Sequence, residues 1–160
     1  MRWLIAAVVS PLTTVFVGLA AASGWFYWER VQTHGEQSAR ALLPPLAKKE
    51  IPEVFAYDYQ TVERSLGAAY PLLTPAYRHE FEKSATDQII PEAKKREVVV
   101  QASVVGVGIM AAQRNSASVM VYMNRTVTDK SRQPLYDGSR LRVDYQRVGG
   151  KWLISYITPI

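Results

Sequence analysis

Arg140-Leu141-Arg142-Val143-Asp144-Tyr145-Gln146-Arg147-Val148-Gly149-Gly150-Lys151-Trp152-Leu153-Ile154-Ser155-Tyr156-Ile157 is the most informative stretch of this chain. Leu141, Val143 and Tyr145 alternate with Arg140, Arg142, Asp144 and Gln146. Successive side chains of a strand point to opposite faces, so a period of two reads as a half-buried strand. Gly149-Gly150 supplies two positions that tolerate φ > 0, as a tight two-residue hairpin turn demands. Lys151 to Ile157 returns with Trp152, Ile154 and Tyr156 on one face.

The same period continues toward the N-terminus. Ala117–Thr128 places Val119, Val121 and Met123 on one face and Met120, Tyr122 and Asn124 on the other. Val98–Ala112 is a longer, valine-rich strand, and Gly106 and Gly108 inside it predict a bulge or sharp bend. Arg114-Asn115-Ser116 reads as a turn, and Asp129–Gly138, with Pro134, as a polar loop. The result is an antiparallel meander of four strands.

Upstream the period lengthens to that of a helix. Pro52 suits a first helical turn, followed by Val54, Phe55 and Tyr57. Asp58 or Thr61 caps a second helix with Val62, Leu66 and Ala69 on one face. Thr74-Pro75 is a start signal for a third, carrying Tyr77, Phe81, Ala85 and Ile89, with Pro91 as an end or kink. Helices followed by strands imply an α+β layer fold. A curled four-stranded sheet under a helical layer encloses a cone.

Residues 29–49 read as a partly helical stalk, interrupted by Gly35 and Pro44-Pro45. It is either a solvated spacer or a segment that touches a partner's stalk. Before it, Trp3 to Trp28 contains no charged side chain. Such a helix reaches roughly 39 Å, against a hydrocarbon core of about 30 Å. Trp25, Phe26, Tyr27 and Trp28 suit the headgroup level. The expected division is a transmembrane anchor over 1–28, a stalk over 29–49 and an extracytoplasmic cone domain over 50–160. With Met1 and Arg2 before the apolar run, the N-terminus is expected in the cytoplasm and the domain outside, at the plasma membrane. A cleaved signal peptide is the other reading, because Ala20-x-Ala22 and Ala21-x-Ser23 resemble cleavage sites.

A chain of 160 residues with such an anchor has room for one modest core. Its formal charge of +5 suits an anionic membrane surface or acidic partner and is too mild to imply nucleic acid. The absence of cysteine excludes disulfides, cysteine-ligated metals and a thiol nucleophile.

Several stretches carry a family resemblance. They are Phe55-Ala56-Tyr57-Asp58-Tyr59, then Leu72-Leu73-Thr74 with Arg78 and Phe81, then Val119 through Thr128, and Gly138 through Ser155. In this order behind an uncharged anchor, they resemble the nuclear-transport-factor-2-like cone and, more closely, the Mce-associated membrane proteins of mammalian-cell-entry systems. The family more often has glutamine where this chain has Arg125. The resemblance implies a non-enzymatic accessory subunit of a lipid or sterol importer in the cell envelope, with protein subunits as partners and no catalytic residues to carry over. A scaffold subunit of a type IV secretion or conjugation channel has the same architecture. A cone that binds lipid directly is a further alternative.

Motifs of catalysis are sparse. His34 and His79 are the only histidines and stand apart, whereas a metal site needs three or four convergent ligands. No nucleophile elbow or phosphate loop occurs, and Gly106-x-Gly108 precedes no helix. An isomerase-type cone needs a carboxylate base, for which Asp58, beside Tyr57, Tyr59 or Tyr122, is the candidate. It reads more simply as a helix cap. Arg140, Arg142, Arg147 and Lys151 lie near one hairpin, but its aromatics fall on the face opposite Arg140 and Arg142, against single-strand binding. The expected partner-contact face is Arg140, Arg142, Tyr145 and Trp152. The expected cavity lining is Tyr57, Tyr59, Phe81 and Tyr122. No cofactor, metal or nucleic acid is expected.

Overall fold

Residues 33–160 are described by the structure, a computed structural model. The apolar run over 3–28 lies outside them, and among the described residues no helix is long and apolar enough to cross a membrane.

The first element revises the stalk. Residues 33–55 form one helix, α1, which passes through Gly35, Pro44-Pro45 and Pro52. Ala39, Leu43, Ala47 and Ile51 recur every fourth position and are completely buried, with Val54 close behind. Residues spaced by four stack on one helix face, so α1 lays a continuous stripe on the sheet. Burying a Leu or Ile side chain contributes about 1.5–3 kcal/mol. That offsets the hydrogen bonds lost at the prolines, whose missing N–H groups free the carbonyls of the exposed residues Arg40 and Ala41. Gly35 is a contact residue rather than a breaker: a Cβ there would lie 2.7 Å from Arg114 Cγ and 2.9 Å from Arg114 Cβ. The folded unit therefore begins before residue 50, and Pro52 lies in the last turn of α1 rather than the first of a new helix.

A two-residue strand, β1 (Tyr57–Asp58), follows. Helix α2 (Val62–Ala69) buries Val62, Leu66 and Ala69 as the sequence predicts. Helix α3 (Pro75–Ser84) starts at Thr74, whose hydroxyl accepts the Tyr77 N–H at 3.4 Å. Pro91 does not end the helical run. A π-helical turn, Ala85–Ile89, precedes α4 (Ile90–Arg96), in which proline falls in the first turn where no N–H partner is needed. Glu97, at φ 55°, closes α4 behind Lys94, Lys95 and Arg96, three cations at the negative end of the helix dipole.

The sheet has five strands, one more than the sequence predicts, in the order β1-β2-β3-β4-β5. They are β2 (Val99–Ala112), β3 (Ser116–Thr128), β4 (Leu135–Val148) and β5 (Lys151–Pro159), all antiparallel to their neighbours. β4 begins earlier than predicted: Leu135 pairs with Val127, and only 129–134 remain a loop. β2 carries two register shifts, at Val104/Gly106 and Ile109/Ala111. Each extra residue increases local twist and curls the sheet around α1. Gly149 and Gly150 adopt φ 57° and 83°, the predicted hairpin turn.

Val119, Val121, Met123, Leu141, Val143, Tyr145 and Ile154 face α1 and form the main core with its stripe. A second cluster joins Val62 and Leu66 to Ala85, Ala93, Val98 and Val100 under α2 and α4. The open edge of β5 is partly covered, because the Thr74 N–H donates to the Ile154 carbonyl at 2.8 Å.

Candidate functional site: the outer sheet face and the cone cavity

Strand parity divides the predicted contact residues. Arg140 and Arg142 are exposed on the outer face of β4, away from α1. Tyr145 has the opposite parity, is 1% exposed and belongs to the core, so it is not a contact residue. Trp152 is half-buried against the main core. It lines a separate cleft of about 510 Å³ with Leu42, Leu46, Glu50 and Leu72. The four residues therefore do not form one surface.

Tyr122 moves the other way. Predicted as cavity lining, it lies on the outer face, 45% exposed, paired with Gly106 on one side and Arg140 on the other. A Cβ at Gly106 would be 3.5 Å from the Tyr122 ring, and one at Gly108 would meet nothing within 4 Å. The glycines thus leave β2 bare beside Tyr122 and Met120. Val105 and Met110, the extra residues of the two register shifts, are also exposed. On β4, Arg142 Nε pairs with Asp144 Oδ1 at 3.0 Å, and Ser118 Oγ donates to the same carboxylate oxygen. Arg140 makes no ion pair among the described residues. The face therefore presents apolar and aromatic side chains next to an unmatched cation.

The other predicted lining residues are split as well. Phe81 lines a cavity of about 320 Å³ with Val54, Phe55, Tyr77, Met123 and Arg125. Tyr57 lines a different depression beside Ile89, Pro91 and Val98. Tyr59 packs against the second core cluster, and its hydroxyl accepts from Gln60 Nε2 at 3.1 Å. Two residues lining the first cavity share one carboxylate: Arg125 Nη2 donates to Asp137 Oδ2 at 2.8 Å, and Ser139 Oγ donates to the same oxygen at 3.0 Å. The Ser139 hydroxyl and then Arg125 hold the Asp137 carboxyl below its ordinary range. Burial raises the Tyr77 phenol, and the same effect raises Tyr57.

Glu50 is a residue whose importance no motif announces. It is 6% exposed, on α1, and accepts from the Tyr145 hydroxyl at 3.3 Å. Desolvation pushes its pKa up to about 7, against the hydrogen bond from Tyr145, which lowers it. Asp58, the candidate base, accepts the Gln60 N–H at 2.8 Å and so serves a turn. Among the described residues no cluster of three metal-ligating side chains occurs.

No family model matches the chain. It is 24% identical over its whole length to a Mycobacterium tuberculosis (strain H37Rv) protein named as an outer membrane protein, all of which is covered. It is also 24% identical to an uncharacterized protein of the same organism, over 99% of this chain and 75% of that one. Among solved structures, it is similar to an IcmL-like type IV secretion system protein from Legionella pneumophila, with TM-score 0.64 and 12% identity over 76% of this chain and 93% of that one. The periplasmic domain of DotI also gives TM-score 0.64, with 14% identity over 75% and 94%. Agrobacterium tumefaciens VirB8 gives 0.55, with 11% identity over 69% and 84%. The shared feature is the fold: helices on a curled antiparallel sheet.

Proposed function

We propose that this chain is a membrane-tethered, non-enzymatic accessory domain of the cell envelope that docks other protein subunits through the outer face of β2–β4. One observation carries the reading. Tyr122 stands exposed and Met120 half-buried beside side-chain-free glycines, next to Arg140, which has no acidic partner among the described residues. Aromatic and arginine side chains are the residue types enriched at protein interfaces. A partner surface with an acidic side chain next to apolar ones complements this face. The turn role of Asp58 supports a binding module over an isomerase.

Full-length similarity to a mycobacterial protein named for the outer membrane supports an envelope address. The resemblance to Mce-associated proteins makes a lipid- or sterol-import complex the first choice of assembly. A type IV secretion scaffold is the second, favoured by the fold of DotI and VirB8. Tethering at the membrane raises the domain's effective concentration near its partners, so modest contacts suffice.

Co-purification of the full chain from detergent-solubilised membranes tests the reading. Wild type is expected to retain lipid-import subunits, and Tyr122→Ala with Arg140→Glu to lose them without a change in melting temperature. Recovery of conjugation ATPases instead overturns the first choice of assembly. Retention of every partner by the double variant overturns the surface.

A further inference from the structure

Helix α1 carries a second stripe beside its buried one. Leu42, Leu46 and Glu50 are spaced by four and so stack on one helix face. They form one wall of the cleft of about 510 Å³, with Leu72 and, on β5, Lys151 and Trp152 across from them. That volume is within the range of small-molecule sites. Apart from Glu50 and Lys151, the lining is apolar. Glu50 is 6% exposed and makes no ion pair among the described residues. Its Oε2 accepts from the Tyr145 hydroxyl at 3.3 Å, and its Oε1 has no hydrogen-bond partner among the described residues. Arg125 Nε is the one fully buried side-chain polar atom without a partner among those residues, so Oε1 keeps surface that a molecule in the cleft can reach. Burial raises the Glu50 pKa to about 7, so at pH 8 a mostly ionised carboxylate stands unpaired against apolar walls. A buried charge without a counter-charge is costly, and a carboxyl so perturbed in a cleft marks a binding site.

We propose that this cleft binds an apolar molecule carrying one primary ammonium group, such as an arylalkylamine, with Glu50 Oε1 accepting from the ammonium and the apolar part lying against Leu42, Leu46 and Leu72. The cationic class follows from the unpaired carboxylate. An alcohol offers Oε1 a hydrogen bond but no counter-charge, and a ligand carboxylate adds a like charge. Trp152 contributes an aromatic surface, which also attracts cations. Lys151 is exposed, and a long stem lets its charge stay in water while its methylenes line the cleft. The cleft lies beside α1 on the core side of the sheet, away from Tyr122 and Arg140, so ligand binding and docking are separable.

The tryptophans provide the readout. Trp152 lines the cleft, whereas Trp3, Trp25 and Trp28 belong to the apolar run and report partition into the bilayer. The full chain, with isotope-labelled indole nitrogens and held in phosphatidylcholine nanodiscs, is titrated at pH 8 with phenylbutylamine, phenylbutanol and phenylbutanoate. The expected result is a saturable shift of the Trp152 indole with the amine, with the other three indoles unmoved. The alcohol and the carboxylate bind at least tenfold more weakly. Between pH 8 and pH 5 the amine weakens roughly tenfold or more as Glu50 takes up its proton, and the alcohol does not. Lys49 and Glu53 on α1, the Tyr145 phenol on β4 and Lys151 on β5 are the other charged or titratable groups around Glu50. Glu50→Gln, which keeps the shape and removes the charge, weakens the amine tenfold or more, leaves the alcohol unchanged and abolishes the pH dependence, assigning it to this carboxyl. The proposal is overturned if Trp152 shows no saturable response, if all four indoles move together, if the alcohol or the carboxylate binds as tightly as the amine, if the amine binds equally at pH 5 and pH 8, or if Glu50→Gln binds it like wild type.

Discussion

Replacing Glu50 by glutamine is expected to stabilise the protein, and only above mildly acidic pH. Glu50 sits on the buried side of α1 under the Tyr145 hydroxyl, and its pKa rises from 4.5 to about 7 because burial disfavours the ionised form. The unfolded chain gives up this proton near 4.5 and the folded chain near 7, so the folded state binds the extra proton between those values. Stability is therefore complete below pH 4.5, falls as pH rises through the window, and levels off above 7. At about 1.4 kcal/mol per pH unit, the loss between pH 5 and pH 8 is about 2.5 kcal/mol. For a chain of this size that corresponds to roughly 8 °C in melting temperature. A glutamine side chain at this position imitates the protonated form and keeps an oxygen for Tyr145. Thermal unfolding of the full chain, followed by tryptophan fluorescence at pH 5 and pH 8, is the assay. Glu50→Gln is expected to gain roughly 8 °C at pH 8 and no more than about 3 °C at pH 5. Equal gains at both pH values, or a loss at pH 8, would contradict a raised Glu50.

Three further outcomes follow from the packing and the charges. Leu43→Ala should cost about 3 kcal/mol in urea unfolding, because it opens a cavity in the α1 stripe; a spacer residue would change stability by less than about 0.5 kcal/mol. Gly149→Ala forces a Cβ into φ 57° and should cost about 1 kcal/mol by the same measurement, with the hairpin register retained in amide exchange. The Asp129 carboxyl, held down to about 2 chiefly by its hydrogen bond from Arg96, contributes stability that is present above 3.8 and lost as pH falls toward 2; in Arg96→Gln its carboxyl carbon should titrate closer to 3.8.

Much of the sheet is legible from parity alone. The Val119–Val121–Met123 and Leu141–Val143–Tyr145 faces are the buried ones, and Gly149-Gly150 is the turn. The same parity assigns Tyr145 to the core and Tyr122 to the outside, and the contact and cavity assignments of these two tyrosines go against it. Thr74-Pro75 starts a helix as its chemistry demands. Helix α1 is hidden for a different reason. Two members of its buried stripe, Ala39 and Ala47, are small and carry a weak hydrophobic signal, and Pro44-Pro45 breaks the local propensity. Only the sheet supplies the surface that makes the stripe worth burying. β1 is too short to read, and the start of β4 is masked by Pro134, Asp137 and Gly138, residues common in turns. Arg125 is visible in the sequence, but its pairing with Asp137 depends on register across β3 and β4.

Site-specific photo-cross-linking in intact membranes addresses the docking face itself. A photoreactive side chain is placed at position 120, 122 or 140 of the full chain, with position 101, on the outer side of β2 near its start, as a comparison. The expected result is that the three central positions capture the same one or two envelope subunits, identified by mass spectrometry, and position 101 captures them weakly or not at all. Capture of those subunits only from position 101, or of no common protein from the three central positions, would contradict docking through this face.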